Sequence, residues 1–144
     1  MIITGTSGDD NLTGTPGDDT IYALAGSDRI DAGPGNDVIY GGDGNDYLQG
    51  GTGSNTLYGE NGDDYFDSLG LSNHNDIADG GGGNDTFRAF WNTDLTITTG
   101  TGSDTIQLPG GSNDHKVTVT DFTAGAGGPP PSYAPSGVLR CFPG

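Results

Sequence analysis

Large apolar residues are sparse in this chain but closely timed. Through residue 67 one recurs every nine residues, at Ile3, Leu12, Ile21, Ile30, Ile39, Leu48, Leu57 and Phe66. Cut in nines from Gly5, the sequence reads GTSGDDNLT, GTPGDDTIY, ALAGSDRID, AGPGNDVIY, GGDGNDYLQ, GGTGSNTLY and GENGDDYFD, seven units without a gap. The pattern predicts a six-residue turn followed by a three-residue strand in each unit. Alternation along the strand sends the eighth residue inward and its two neighbours outward. One inward residue per unit is too little to fold alone, whereas stacked units build a continuous narrow core from a column of Leu, Ile and Phe.

The turns keep the same phase. The fourth place is glycine in every unit (Gly8, Gly17, Gly26, Gly35, Gly44, Gly53, Gly62), and the sixth is Asp10, Asp19, Asp28, Asp37, Asp46 and Asp64, with Asn55 the exception. Glycine admits positive φ and close backbone packing, and a short carboxylate at the end of a turn stays near the backbone. A single Gly-Asn-Asp reads as a turn former. Seven phased copies read instead as a ladder of cation ligands, because stacked carboxylates would otherwise face one another.

The pattern G-G-x-G-x-D-x-U-x, clearest in GGDGNDYLQ at Gly41–Gln49, resembles the RTX, or hemolysin-type calcium-binding, nonapeptide repeat family. The resemblance implies an all-β fold, a right-handed parallel β-roll in which two units make one eighteen-residue coil. Turns then alternate between two sides, with several calcium ions between turns stacked on the same side. Calcium takes six to eight oxygen ligands and accepts carboxylates and carbonyls together. The expected pairs are Asp10 with Asp28, Asp19 with Asp37, Asp28 with Asp46, and Asp46 with Asp64. Asp37 meets Asn55, so that site loses a charge and is expected to bind more weakly. Turn carbonyls complete the ligand set: the fourth-place glycines above with Gly83, and the second-place Gly33, Gly42, Gly51 and Gly81.

Past Asp67 the match becomes intermittent, so residues 1–67 read as a regular roll and 68–122 as its degenerate continuation. Ser68-Leu69-Gly70 looks like an insertion of three residues, and Leu71–Asp79 keeps Asn75-Asp76 in register without the glycines. GGGGNDTFR at Gly80–Arg88 restores the unit, Ala89–Ile97 is poor, and TGTGSDTIQ at Thr99–Gln107 returns after a slip of one. Asp64 with Asp85 and Asp85 with Asp104 are expected to add sites, with Asp76 a further ligand, and Val117–Phe122 resembles the strand that often follows such arrays. From Thr123 to Gly144 the chain becomes rich in Pro and Gly and holds no Asp, so a disordered tail is expected, as from a truncated or shifted reading frame.

Composition agrees with this reading. The chain has 29 glycines and a net charge of −16, and of its 20 acidic residues only Glu60 is not Asp. Low hydrophobicity with high charge ordinarily means disorder, unless a cation neutralises the carboxylates. Such acidity disfavours nucleic acid or an anionic membrane as partner. No stretch approaches the roughly 20 apolar residues needed to span a bilayer, and the N-terminus lacks the basic and apolar regions of a cleavable signal peptide. With Cys141 alone no internal disulfide forms, so redox chemistry does not mark the compartment.

These features point to a calcium-dependent folding module, not an enzyme. RTX proteins commonly leave bacteria unfolded through type I secretion, so the resemblance implies a secreted, extracellular protein with a secretion system as partner. A second reading is a carbohydrate-binding or adhesion module with a saccharide or partner domain as ligand. Tyr22, Tyr40 and Tyr58 are spaced by eighteen beside Thr20, Val38 and Thr56, and Tyr47 and Tyr65 are spaced likewise, so each set is expected to stack. Catalysis finds little support: His74 and His115 belong to no His-Glu-x-x-His, Cys141 has no positioned base, and the Asp pairs recur where a glycosidase needs one cleft. Arg29 and Arg88, on outward strand positions, are expected to offset acid.

Overall fold

The computed structural model describes residues 1–69, 75–89, 95–108, 117–121 and 137–141. Every regular element among them is a strand: β1 (Ile2–Thr4), β2 (Asn11–Thr13), β3 (Thr20–Ala25), β4 (Arg29–Asp31), β5 (Val38–Asp43), β6 (Tyr47–Gln49), β7 (Thr56–Asn61), β8 (Tyr65–Leu69), β9 (Asp76–Asp79), β10 (Thr86–Ala89), β11 (Leu95–Thr98), β12 (Asp104–Leu108), β13 (Val117–Val119) and β14 (Gly137–Cys141). No helix among the described residues is long and apolar enough to cross a membrane.

Odd-numbered strands form one seven-stranded sheet in the order β1-β3-β5-β7-β9-β11-β13, and even-numbered strands form the other, β14-β12-β10-β8-β6-β4-β2. From β1 to β13 neighbours run parallel, and in the regular units their partners are eighteen residues apart, as in Ile3–Ile21, Ile21–Ile39 and Ile39–Leu57. Two nine-residue units therefore make one coil of a parallel β-solenoid.

The interruptions are absorbed without loss of phase. Phe66 pairs with Phe87, twenty-one residues on, and Phe87 with Ile106, nineteen on. These shifts match the insertion and the one-residue slip. β13 supplies the expected terminal strand at Val117–Val119, parallel to β11.

Eighth-place residues from both sheets meet in the interior. Ile21, Ile30, Ile39, Leu48, Leu57, Phe66, Ala78, Phe87, Ile97 and Ile106 are fully buried, joined by the first-place Ala23 and Ala32. The rings of Phe66 and Phe87 stack with centroids 4.5 Å apart. Outside, Tyr22–Tyr40 and Tyr40–Tyr58 stack at 4.9 and 5.0 Å, and Tyr47–Tyr65 at 5.5 Å. The Arg29 guanidinium lies 4.1 Å above the Tyr47 ring, and Arg88 pairs with Asp67 at 3.3 Å. Aromatic pairs of this kind each add roughly 0.2–1 kcal/mol.

Gly137–Cys141 lies within the stretch expected as a disordered tail. It forms β14, antiparallel to β12, with Arg140 opposite Thr105 and Val138 opposite Gln107. A stretch without proline can pair with an open sheet edge, which a terminal strand otherwise leaves unpaired. Residues 123–136, together with His74 and His115, lie outside the described residues, as does the side chain of Cys141.

Close stacking gives the fourth-place glycine its role. At Gly44 φ is +132°, and a methyl group there would collide with the Gly26 carbonyl of the preceding coil. Gly8, in the same place of the first unit, is not left-handed and has nothing within 4 Å of that position. Gly44→Ala is therefore expected to cost about 2 kcal/mol or more. Gly8→Ala is expected to cost no more than about 0.5 kcal/mol, both read by urea unfolding in calcium.

Candidate metal centres

Each turn ends in a sixth-place residue whose side chain folds under the backbone instead of into solvent. Asp19, Asp28, Asp37, Asp46, Asn55, Asp64, Asp76, Asp85 and Asp104 are all buried, and Asp10, at the open end, is half-buried. From Asp28 onward one oxygen of each side chain has the same job: Oδ1 accepts the backbone N–H of the sixth-place residue one coil earlier. On one edge the donors Asp10, Asp28, Asp46, Asp64 and Asp85 reach Asp28, Asp46, Asp64, Asp85 and Asp104 over 2.7–2.9 Å. On the other edge Asp19 reaches Asp37, Asp37 reaches Asn55 and Asn55 reaches Asp76, at 2.8–2.9 Å. All the pairs drawn from the spacing are brought together, and Asn55–Asp76 joins them.

The second oxygens set the electrostatics. Oδ2 of Asp28, Asp37, Asp46, Asp64 and Asp85 is buried with no hydrogen-bond partner. Buried carboxylate oxygens left unpaired cost free energy on the order of 1–3 kcal/mol or more each, so five in phase are a demand for positive charge. Asp10 and Asp19 escape this because the N–H groups of Thr6 and Thr15, at the second place, each donate to Oδ2 at 2.6 Å. In later turns the second residue stands at positive φ (Gly33, +85°; Gly42, +112°; Gly51, +82°; Gly81, +88°), and so do the non-glycines Leu24 (+83°) and Glu60 (+74°).

Oδ2 and a carbonyl oxygen of the next coil flank the same small space beside a glycine. A methyl group on Gly41 would lie 2.5 Å from Asp46 Oδ2 and 2.9 Å from the Gly59 carbonyl oxygen of the next coil. Gly59 and Gly80 repeat the arrangement, with Asp64 and the Gly80 carbonyl, and with Asp85 and the Thr99 carbonyl. The other turn carbonyls run along the coil axis: those of Gly8, Gly17, Gly26, Gly35, Gly44, Gly62 and Gly83 lie against the fourth-place glycine one coil on. Gly33 and Gly81 already accept an N–H from Thr52 and Thr101 at 3.1 and 2.8 Å. The Gly53 carbonyl takes the side-chain amide of Asn55.

Burial, first among the causes, raises these carboxyls, and neighbouring carboxylates add to it: Asp64 is pushed up to about 7, and Asp46 and Asp85 to about 6. Asp28, Asp37 and Asp104 shift the same way, chiefly through burial. Asp19 moves down, because the terminal ammonium of Met1 lies 2.7 Å from Oδ1 and the Thr15 amide bonds Oδ2.

Among the described residues no three His, Cys, Asp or Glu side chains converge on one point. A cation here would be held by carboxylate and carbonyl oxygen alone, a donor set that suits a hard ion such as calcium over zinc or copper. The unpartnered oxygens thus fit calcium.

One column escaped the sequence reading. Fifth-place side chains Asp9, Asp18, Asn36, Asn45, Asp63 and Asn84 accept the backbone N–H of the fifth-place residue one coil later, at 2.7–3.0 Å. The signal was present, since that place holds only Asp, Asn or Ser in every regular unit. The two ladders run in opposite directions along the roll.

A parallel β-solenoid with buried acidic columns under its turns defines the class of protein. The sequence model of the RTX calcium-binding nonapeptide repeat matches residues 4–39, 40–70 and 72–95, more than half of the chain, which therefore belongs to that family. No curated protein and no solved structure matches it.

The raised carboxyls fix the sign of a pH effect. Their folded-state values lie above the unfolded value near 4, so the stability they lend the cation-free fold is full below that value and is lost as pH rises through about 6–7. In chelator, the thermal midpoint followed by circular dichroism is expected to rise on going from about pH 8 to about pH 5. Calcium affinity, measured over the same window, is expected to fall.

Proposed function

We propose that this chain is a calcium-folded structural module of an exported protein, disordered where calcium is scarce and assembled where it is abundant. The observation that carries the reading is the set of five buried, unpartnered carboxylate oxygens on Asp28, Asp37, Asp46, Asp64 and Asp85. We assign these as primary ligands, with turn carbonyls of the first, second and fourth places beside them. Asp10, Asp19, Asp76 and Asp104 are assigned as supporting residues of the same columns. A bound calcium ion supplies positive charge and oxygen coordination between stacked turns. The chain's own contribution is to hold each carboxylate in place through the amide bond to Oδ1 and to exclude water from Oδ2.

Magnitudes favour a switch. With affinity near 10⁻⁴ M, a millimolar ion adds about 1.4 kcal/mol per site, and four to six sites add roughly 6–8 kcal/mol. That equals the whole stability of a small domain. A net charge of −16 opposes compaction until it is neutralised. Folding withheld until calcium is met suits passage through a secretion channel of type I kind, followed by assembly outside the cell. Far-ultraviolet circular dichroism is expected to show the β signal in millimolar calcium and its loss in excess chelator at neutral pH; an unchanged spectrum would exclude the reading.

One observation favours a second role, as a calcium-dependent carbohydrate-binding or adhesion module. A groove of about 400 Å³ is lined by Tyr22, Leu24, Tyr40, Gly41, Gly42 and Glu60. Stacking covers both faces of Tyr40, so a saccharide would meet ring edges, hydroxyls and the Glu60 carboxylate. Glycan-array binding in calcium that is weakened by Tyr40→Ser would support this role, and binding insensitive to that change would remove it.

A further inference from the structure

The two edges of the roll differ in what their buried columns lack. Along the edge running from Asp10 to Asp104, four consecutive coils place an unpartnered Oδ2 under the turn, on Asp28, Asp46, Asp64 and Asp85. Along the other edge, among the described residues, only Asp37 does so. The difference centres on Asn55, which is 1% exposed.

The Asn55 amide is oriented by its surroundings. Its Oδ1 accepts the Asp37 N–H at 2.9 Å, so Nδ2 must occupy the place that Oδ2 takes elsewhere. It does: a methyl group on Gly50 would lie 2.9 Å from Asn55 Nδ2, just as one on Gly41 would lie 2.5 Å from Asp46 Oδ2. From there Nδ2 donates to the Gly53 carbonyl of its own turn at 3.3 Å. A hydrogen-bond donor stands where the neighbouring turns present an unpaired anion, and it engages a turn carbonyl that would otherwise be free for a cation. Further along the same edge Leu95 pairs with Asp76, so the column meets a buried apolar side chain instead of another carboxylate.

We infer that Asn55 is a built-in substitute for an ion, holding its turn in register without calcium and leaving the Asp10–Asp104 edge to carry most of the calcium. The inference rests on the calcium reading and concerns how the ions are shared between the edges. It makes the roll lopsided: one edge assembles by loading ions along four coils, and the other, where Asp37 has the unpartnered oxygen, is held chiefly by side-chain and backbone hydrogen bonds around Asn55.

The test uses the full chain, calcium alone as ligand, equilibrium dialysis for the number of ions bound, and thermal melting in chelator at neutral pH. Asn55→Asp is expected to bind about one ion more than the wild type and to melt at lower temperature in chelator, since it adds a buried anion. The converse change, Asp46→Asn, is expected to bind about one ion fewer and to melt at higher temperature in chelator; it keeps the inference testable should Asn55→Asp fail to fold. Calcium stoichiometry unchanged by either substitution, in a wild type that does bind calcium, overturns the inference and leaves the calcium reading standing. A wild type that binds no calcium overturns both.

Discussion

Buried aspartates under five turns, Asp28, Asp37, Asp46, Asp64 and Asp85, each with one oxygen hydrogen-bonded and the other not, are the constraint on which this structure depends. Oδ1 ties each coil to the one before it through a backbone amide, as Asp46 does for Asp28 at 2.8 Å. That bond holds the carboxylate inside, where its second oxygen is buried without a hydrogen-bond partner. The same residue therefore stabilises the stack through one atom and destabilises it through the other. A cation, a proton or, at Asn55, an amide resolves the conflict, and the behaviour of the module follows from which of these is present.

The thin core explains why the conflict matters. Each coil contributes one inward residue per sheet, with first-place alanines filling the remainder. Apolar burial at about 25 cal/mol per Å² is small for such a narrow spine, while the ordering entropy is that of a chain of ordinary length. Tyrosine ladders and the fifth-place amide bonds add increments, but none offsets a column of unpaired buried charge. The proposed function follows from this balance, since ion binding to a site that exists only in the folded chain couples the two into one equilibrium.

Most of the architecture was legible because the repeat is strict. An eighteen-residue coil follows from the nine-residue phase, and it placed Asp28 with Asp46, Tyr22 with Tyr40 and Ile21 with Ile39 on the same edge or sheet. The insertion after Asp67 and the slip before Asp104 were readable because Asp, Gly and an apolar residue resume together on their far side. Less legible were features that depend on which way a peptide faces. Thr6 and Thr15 satisfy their turn's aspartate, whereas Leu24 and Glu60 adopt the left-handed conformation of the glycines they replace. Nothing in the residue types alone separates these two outcomes. β14 was missed for a different reason, since an antiparallel return has no period to announce it.

By itself the sequence determined the coil, the inward column, the register of every regular unit and the list of carboxylates that share an edge, because a fixed period leaves one way to superpose identical units. Only the tertiary structure decided which oxygen of each carboxylate is left without a partner, that the fifth- and sixth-place ladders run in opposite senses, that Leu95 faces Asp76, and that a late segment closes one sheet. Those facts turn on the direction of individual N–H and C=O groups between coils. A residue pattern repeated along the chain does not encode that direction.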